Sequence, residues 1–298
     1  MRVLASRRFP GPAWDELRDV EYADGSLDRE RRDIQALAVV AEPVDERTLE
    51  LVPNLLVVAN YGAGFDLVDV EACRRRGVIV TNTPGVTSAA TADLTLGLIL
   101  AVRRRIVAGD AFVRSGGWGS GWADEPLEAD EVTGSTLGIV GLGRIGGAVA
   151  QRARGFEMRI LYTRRREIDE PGFRPLDQLL AESDIVSIHL PLTEETRGLI
   201  DERRLAQMPD GACLVNTARG QIVDERALVA ELVFGRLQAG LDVFADEPKV
   251  PQELFELPNV VMTPHLGTAT QATREAMTRV LVDNLLAVEA GRPPPNAL

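Results

Sequence analysis

Residues 137–166, LGIVGLGRIGGAVAQRARGFEMRILYTRRR, constrain the fold of this chain more than any other stretch. Leu137, Ile139 and Val140 form a short apolar run that ends at Gly141. Gly141-Leu142-Gly143-Arg144-Ile145-Gly146 is a GxGxxG, and Ile145, Val149, Arg152 and Ala153 continue behind it at helical spacing. Residues 158–162 then read as a second strand. Strand, glycine turn, helix and strand in that order turn a weak pattern into a dinucleotide-binding unit. Gly141 permits the tight turn, Gly143 lets backbone approach a pyrophosphate, and Gly146 lets the helix pack close to the strand. The free N–H groups at the helix start suit phosphate oxygens.

The end of the second strand bears on which dinucleotide binds. NAD is selected by an Asp or Glu about 20 residues past the glycines, which accepts from the ribose 2′-OH. This chain has Thr163-Arg164-Arg165-Arg166 there. A guanidinium suits a 2′-phosphate, because it pairs with phosphate oxygens in a two-pronged fork. NADP(H) is therefore the favoured cofactor. NAD(H) is the alternative, with Glu167 or Asp169 folding back to serve it.

The remainder of the 298 residues alternates strand and helix, the mark of a parallel α/β sheet. Strands are expected at 2–5, 38–40, 55–59 and 78–81 before the glycine unit. Further strands are expected at 185–189, 213–216, 239–243 and 260–263 after it. A helix is expected at 66–76, and a long one from Ala89 through Leu94, Leu98, Val102 and Ile106. Residues 115–122 read as loop, and 271–289 as an amphipathic helix. The length predicts two lobes with a cleft between them, the last helix returning to the first lobe. Residues 1–92 form the first lobe, 93–268 the nucleotide-binding lobe, and 269–298 the return. The long helix carries Leu94, Leu96, Leu98, Ile99 and Leu100, too many for one lobe's apolar stripe, so a homodimer is expected.

Composition excludes several classes of function. The net charge of −12 disfavours a nucleic-acid surface, and Arg74-Arg75-Arg76 and Arg103-Arg104-Arg105 read as solvated helix faces. No apolar run reaches the ~20 residues of a membrane span. No signal peptide is evident, so a cytoplasmic protein is expected. Two cysteines are too few for a disulfide framework, and two histidines, His189 and His265, with no acidic cluster at ligand spacing leave no metal site. His189 reads as a structural residue lining the cofactor groove at most. Trp118 and Trp122 read equally well as loop anchors or dimer contacts.

Three residues stand at strand ends, where ligands of open α/β sheets bind. They are Arg219 after 213–216, Glu247 after 239–243 and His265 after 260–263. Arginine can fork a carboxylate, histidine can give or take a proton near neutrality, and glutamate beside it favours the charged imidazole. With a nicotinamide, these chemistries add up to hydride exchange at the carbon next to a carboxylate.

The chain resembles the D-isomer-specific 2-hydroxyacid dehydrogenases over nearly its full length, and most of all their glyoxylate/hydroxypyruvate reductases. The matching words are Asn60-Tyr61-Gly62-Ala63-Gly64-Phe65-Asp66, Thr83-Pro84-Gly85-Val86, the glycine turn, His189-Leu190-Pro191-Leu192-Thr193, 216–220, 241–248 and 263–267. The resemblance implies an α/β protein in which a Rossmann domain is inserted into a flavodoxin-like substrate domain. It also implies a homodimer. It implies that Arg219 binds the carboxylate and carbonyl of a small 2-oxo acid, reached also by the N–H groups of Ala63 and Gly64. His265 would be the general acid and Glu247 its partner, with Thr268, a Ser in several relatives, beside the substrate. Cofactor contacts would come from Gly141, Gly143, Arg144, Ile145, Gly146, Thr163, Arg164, Arg165, Leu190, Pro191, Thr196, Thr217, Ala218, Asp242 and Gly267. Alternatives are a relative acting on 2-ketogluconate or phosphohydroxypyruvate, a formate- or phosphite-oxidising relative, and a nucleotide-sensing regulator that kept the fold.

Overall fold

The computed structural model describes residues 1–23, 29–119, 127–165 and 171–298. Trp122, Arg166, Glu167 and Asp169 lie outside the described residues. The chain divides into two compact units, Met1–Thr87 with Thr268–Leu298, and Ser88–Gly267.

The first unit opens with β1 (Val3–Ala5), β2 (Val20–Tyr22), β3 (Ala36–Val39), α1 (Glu46–Leu51), β4 (Val57–Asn60), α2 (Val70–Arg75) and β5 (Ile79–Thr81). The strands pair in parallel in the order β2-β1-β3-β4-β5, which is flavodoxin-like. β1, β3 and β4 are buried throughout, as strands covered on both faces must be. Alternate side chains supply two cores: Val3, Ala5, Ala36 and Ala38 on one face, Leu4, Leu37, Val39 and Val58 on the other. β2 is not legible as a strand, being a three-residue edge whose Glu21 is tied up by Arg31 and Arg2. The helix expected at 66–76 starts later, because the Asp69 carboxylate caps Ala72 N at 2.8 Å and Val68 is held by a bridge to Val44.

The second unit begins with α3 (Ser88–Arg103) and α4 (Ile106–Arg114). Then follow β6 (Thr136–Val140), α5 (Arg144–Ala153), β7 (Arg159–Thr163), α6 (Leu176–Glu182), β8 (Ile185–Ile188), α7 (Glu202–Leu205), β9 (Cys213–Asn216), α8 (Glu225–Phe234), β10 (Gln238–Leu241) and β11 (Val260–Met262). All six strands are parallel, in the order β11-β10-β9-β8-β6-β7. A bridge from Tyr162 to Phe173 adds a minimal strand outside β7 and completes a Rossmann order. α3 and α5 cover one face through Leu96, Ile99, Val149 and Ala153. α6, α7 and α8 cover the other through Leu179, Leu180, Leu205 and Leu228. Each such fully buried aliphatic side chain contributes about 1.5–3 kcal/mol.

Register places the chemistry. Thr163, Val140, Ile188, Asn216, Leu241 and Met262 are consecutive cross-strand partners, so six strands end in one row. Strand order reverses at β6, between β7 and β8, which is where a doubly wound sheet opens a crevice.

The long helix expected from Ala89 to Ile106 is two helices. Arg105 takes a left-handed conformation at φ 52° and ends the run, so Ile106 starts α4. The arginine triplet is a solvated face only in part: Arg104 is exposed and Arg105 half-buried. Arg103 is buried, donates from Nη1 to Gly211 O at 3.0 Å and lies 3.2 Å from Asp130. Arg74, Arg75 and Arg76 do stay on the surface, opposite Glu71, Glu46 and Glu50. Most of the apolar residues of α3 are buried inside their own unit, whereas α4 buries nothing and leaves Ile106, Val107 and Val113 exposed. Residues 115–119, which include exposed Trp118, form neither helix nor strand.

The chain returns to the first unit through α9 (Gln271–Glu289), capped by the Thr270 hydroxyl. Its Met277, Leu281, Val282 and Leu285 join the core of β1, β3 and β4. Ala297 then bridges Thr81, antiparallel to β5.

Two neighbouring glycines on α5 give a paired test. A Cβ on Gly146 would sit 2.2 Å from Gly141 O, while one on Gly147 would meet nothing within 4 Å. Gly146→Ala is expected to cost about 1–3 kcal/mol or more in urea denaturation. Gly147→Ala is expected to be neutral or to gain about 0.5–1 kcal/mol, as alanine does inside a helix. Equal effects at the two positions would refute the packing described for α5.

Candidate active site

The glycine turn leaves β6 at Gly141, φ 101°, where an added Cβ would strike His189 O at 2.8 Å. A side chain is therefore barred there by both conformation and space. Gly143 is the N-cap of α5 and supplies no side-chain cap, unlike Asp201 before α7 or Asp224 before α8. Nothing lies within 4 Å of where its Cβ would be. The first amides of α5, carried by Arg144, Ile145 and Gly146, thus start beside open space, a cradle that fits a pyrophosphate. At the end of β7, Thr163 is half-buried and Arg164 and Arg165 are exposed.

β8 delivers His189, Leu190 and Pro191. His189 Nε2 lies 2.8 Å from Ser187 Oγ, its one hydrogen-bonding partner among the described residues. No carboxylate supports a charge there, and burial pushes the imidazole down to about 3, so it is neutral at physiological pH. Thr196 folds back onto this loop, its hydroxyl donating to Pro191 O at 2.7 Å and accepting from Thr193 N at 2.8 Å.

β9 delivers Thr217, Ala218 and Arg219. The buried Asn216 side chain braces this turn, accepting from Ala218 N at 3.0 Å and donating to Arg219 O at 2.9 Å. The Thr217 hydroxyl is shared with Thr95 of α3 at 3.0 Å. Arg219 is half-buried and donates to Ala218 O at 2.8 Å. The following Gly220 presses on the next loop: a Cβ there would lie 2.0 Å from the Phe244 carbonyl carbon. That loop ends at Glu247, whose Oε1 accepts from Phe244 N at 3.1 Å.

β11 delivers His265, whose Nδ1 lies 2.8 Å from Glu247 Oε2. Its Nε2 makes no hydrogen bond among the described residues. The hydrogen bond to Glu247 raises the imidazole pKa, against the effect of burial, with further help from the charges of Glu247 and Asp242; Arg219 opposes. Burial pushes the Glu247 carboxyl up, but the His265 hydrogen bond and charge win and hold it below its ordinary value. Arg219 acts on both groups, so the three residues share one electrostatic neighbourhood.

Asp242 organises the loop that carries His265. It is fully buried, and its carboxylate accepts from Thr263 Oγ1 at 2.6 Å, Leu266 N at 2.7 Å and Gly267 N at 2.8 Å. Its backbone carbonyl also takes His265 N at 2.9 Å. These bonds stabilise His265 at φ 53°, a conformation uncommon outside glycine. A carboxylate has about four acceptor positions, so one remains for a ligand donor. Ala63, Gly64 and Thr268 belong to the first unit.

Sequence reasoning missed Thr91, Thr95 and Ser187. Thr91 donates to Gly267 O at 3.2 Å and Thr95 bonds Thr217. The signal for the two threonines was present: hydroxyls at i and i+4 in an otherwise apolar helix share one face.

Comparisons with known proteins identify the family. Residues 96–267 match the family described as D-isomer specific 2-hydroxyacid dehydrogenase, NAD binding domain. The chain belongs to that family, and is a nicotinamide-dinucleotide-dependent dehydrogenase. It is 45% identical to a glyoxylate reductase of Pyrococcus furiosus, over 98% of this chain and 90% of the relative. A crystal structure of a Thermus thermophilus protein superposes with a TM-score of 0.93 at 46% identity, covering all of both chains. An NADPH-dependent glyoxylate/hydroxypyruvate reductase of Sinorhizobium meliloti, solved with NADP and malonate, superposes at 0.90 with 32% identity, covering 100% of this chain and 96% of that one. Among the described residues no helix is long and apolar enough to cross a membrane, and no cluster of His, Cys, Asp and Glu could hold a metal ion.

The two histidines make the electrostatics directly measurable. In an NMR pH titration, His265 should titrate above the ordinary histidine value, and Glu247→Gln should bring it down. His189 should show no titration between pH 5 and 8 (about two units or more above its midpoint). A His265 midpoint unmoved by Glu247→Gln would overturn the assignment of its pKa to that hydrogen bond.

Proposed function

We propose that this chain reduces glyoxylate and hydroxypyruvate to the corresponding 2-hydroxy acids, hydroxypyruvate to its D-isomer, with NADPH preferred over NADH. The observation that carries the reading is the His265–Glu247 pair, 2.8 Å apart with the imidazole Nε2 unbonded among the described residues, on the same sheet edge as the glycine turn and Arg219. The dinucleotide, when bound, supplies a hydride to the carbonyl carbon. Gly141, Gly143, Arg144, Ile145 and Gly146 would hold its pyrophosphate. Leu190, Pro191, Thr196, Thr217, Ala218, Asp242 and Gly267 would line the rest.

Reduction leaves negative charge on the carbonyl oxygen, and His265 Nε2 gives it a proton. Such a transfer contributes about 10²–10⁴-fold. Glu247 makes the charged imidazole available before the reaction and holds it afterwards. Arg219 pairs with the substrate carboxylate and fixes which carbon is presented. The family resemblance adds Ala63, Gly64 and Thr268 as further substrate residues. For the cofactor, Arg164 and Arg165 stand where an NAD enzyme needs an acid, and the NADPH-dependent relative of Sinorhizobium meliloti lends support. We also read the protein as a homodimer, with exposed Ile106, Val107 and Val113 of α4 in the contact.

Kinetics with a panel of 2-oxo acids and both cofactors test the reading. His265→Ala should lower kcat by about 10²–10⁴-fold with NADPH affinity near wild type. Arg219→Ala should also raise KM sharply, since it removes the carboxylate partner. Arg164→Ala with Arg165→Ala should reduce kcat/KM for NADPH while sparing NADH. Glu247→Gln should move the alkaline fall of the reduction rate to lower pH, because the proton donor is lost as pH rises through a pKa that has dropped. Wild-type protein that turns over no 2-oxo acid, or His265→Ala that keeps most of its kcat, would end the proposal. For the dimer, light scattering at micromolar concentration should give twice the chain mass, and a single chain mass would reject it.

A further inference from the structure

Glu247 stands in a loop that no strand holds. β10 ends at Leu241, and the last backbone bonds to its neighbours are made by Asp242, whose N–H meets Asn216 O at 3.0 Å and whose carbonyl takes His265 N at 2.9 Å. Further on, Lys249 N donates to Asp246 O at 2.8 Å and closes a tight turn with Glu247 at its second position. The Glu247 side chain is 36% exposed and that of His265 49% exposed. An ion pair this open to water is a weak fastener by itself, because its attraction is screened and two side chains must be held still. The 2.8 Å contact between Glu247 and His265 therefore depends on where the backbone delivers the carboxylate.

Between Asp242 and Glu247 that backbone is held by side chains from another segment. The Phe244–Ala245 peptide lies against Gly220, where a Cβ would be 2.0 Å from the Phe244 carbonyl carbon and 2.4 Å from Ala245 N. Just past this contact stand Gln221, in the single 3₁₀ turn Gly220–Ile222, and Glu225, the first residue of α8. The two close on Ala245 from its two polar ends. Glu225 Oε1 accepts from Ala245 N at 2.8 Å, and Gln221 Nε2 donates to Ala245 O at 2.7 Å. Ala245 makes no backbone–backbone hydrogen bond among the described residues, so these two side chains take the place of a strand ladder. Their types are not interchangeable, since an N–H needs an acceptor and a C=O needs a donor.

Both holders are themselves anchored. Gln221 and Glu225 are half-buried. Gln221 O accepts from Gly198 N at 2.9 Å, and the Asp224 carboxylate caps α8 at Ala227 N, 3.0 Å away. The grip on Ala245 is thus transmitted from the body of the second unit.

We propose that Gln221 and Glu225 are positioning residues: by holding both polar groups of Ala245 they aim the loop so that Glu247 meets His265 Nδ1. This rests on the reading of His265 as the proton donor of a 2-oxo acid reductase. Neither side chain bonds the imidazole among the described residues; both act through the backbone. The charges that bear on His265 are those of Glu247 and Asp242, which favour its charged form, and of Arg219, which opposes it. With Ala245 released, Glu247 swings away while Arg219 remains, and the imidazole loses its proton at lower pH.

The test is the His265 titration midpoint, read by NMR on the full chain, with the pH profile of glyoxylate reduction beside it. Gln221→Leu keeps the size of the side chain and loses the donor, and Glu225→Ala loses the acceptor. Each should lower the midpoint by about 0.5–1 unit, part of the 1–3 units that an adjacent opposite charge supplies. The alkaline fall of kcat should move with it, so that kcat above the midpoint drops about three- to tenfold while the NADPH Kd stays at the wild-type value. Glu225→Gln, which loses the charge and keeps the acceptor, should restore the wild-type midpoint. Gln221→Leu added to Glu247→Gln should move the midpoint no further than Glu247→Gln alone, because the effect passes through Glu247. Should one variant fail to fold, the other decides; failure of both would assign the residues to the stability of the unit and overturn the proposal. Folded variants with the wild-type midpoint overturn it, as does a double variant displaced beyond Glu247→Gln. A Glu225→Gln protein as displaced as Glu225→Ala also overturns it, since the effect would then be one of charge. Midpoints that move as expected in a protein that turns over no 2-oxo acid leave the positioning role standing and end the reductase reading.

Discussion

A parallel sheet in register ends its strands at one height, and the chemistry of the second unit starts from that row. Thr163, Val140, Ile188, Asn216, Leu241 and Met262 are cross-strand neighbours, so the residues that follow them emerge side by side. Hydrogen bonding between strands sets that register, and burial on both faces enforces it, because a one-residue slip would turn every apolar side chain to the wrong face. The glycine turn, the arginine turn and the histidine loop then need only short spans of irregular backbone. Each span is braced locally: by Asn216 in one case and by the Asp242 carboxylate in another.

The two histidines show how far local partners govern a single residue type. Both follow strands of the same sheet. His189 has a hydroxyl for a partner and is half-buried, and desolvation holds its charged form down to about pH 3. His265 has a carboxylate at 2.8 Å and an open Nε2, so its charged form is favoured. A proton donor at neutral pH needs the second environment, and a neutral lining residue needs the first. The acid Asp242 lies close enough to support His265 yet is engaged in holding its loop, which separates the task of setting the pKa from the task of setting the conformation.

Much of this is legible in the chain itself, because the informative features are local. Gly141, Gly143 and Gly146 carry their reason in their lack of a side chain, and the strand before and helix after them fix the context. Arg219, Glu247 and His265 stand just past apolar runs that can only be strand ends. What was hidden depends on partners far along the chain. Arg103, Arg104 and Arg105 are the same letter three times, yet only Arg103 finds Gly211 and Asp130 and goes inside. The break between α3 and α4 rests on a left-handed Arg105, which no propensity favours. Asn60 and Asn82 both donate to carbonyls of the turn at 62–64, Gly64 O and Ala63 O, a shared target that appears only when β4 and β5 lie side by side.

Gly220 carries a consequence for how such a scaffold can diverge. With the β9 loop pressed so closely on Phe244 that a methyl group cannot fit, the two loops have no slack between them. A shift that moved Arg219 would push on the chain leading to Glu247, and through Glu247 on His265. Arg219 and the His265–Glu247 pair behave as one rigid casting. Changes that adapt such a scaffold must therefore fall elsewhere in the protein, while the loops of Arg219, Glu247 and His265 stay as they are.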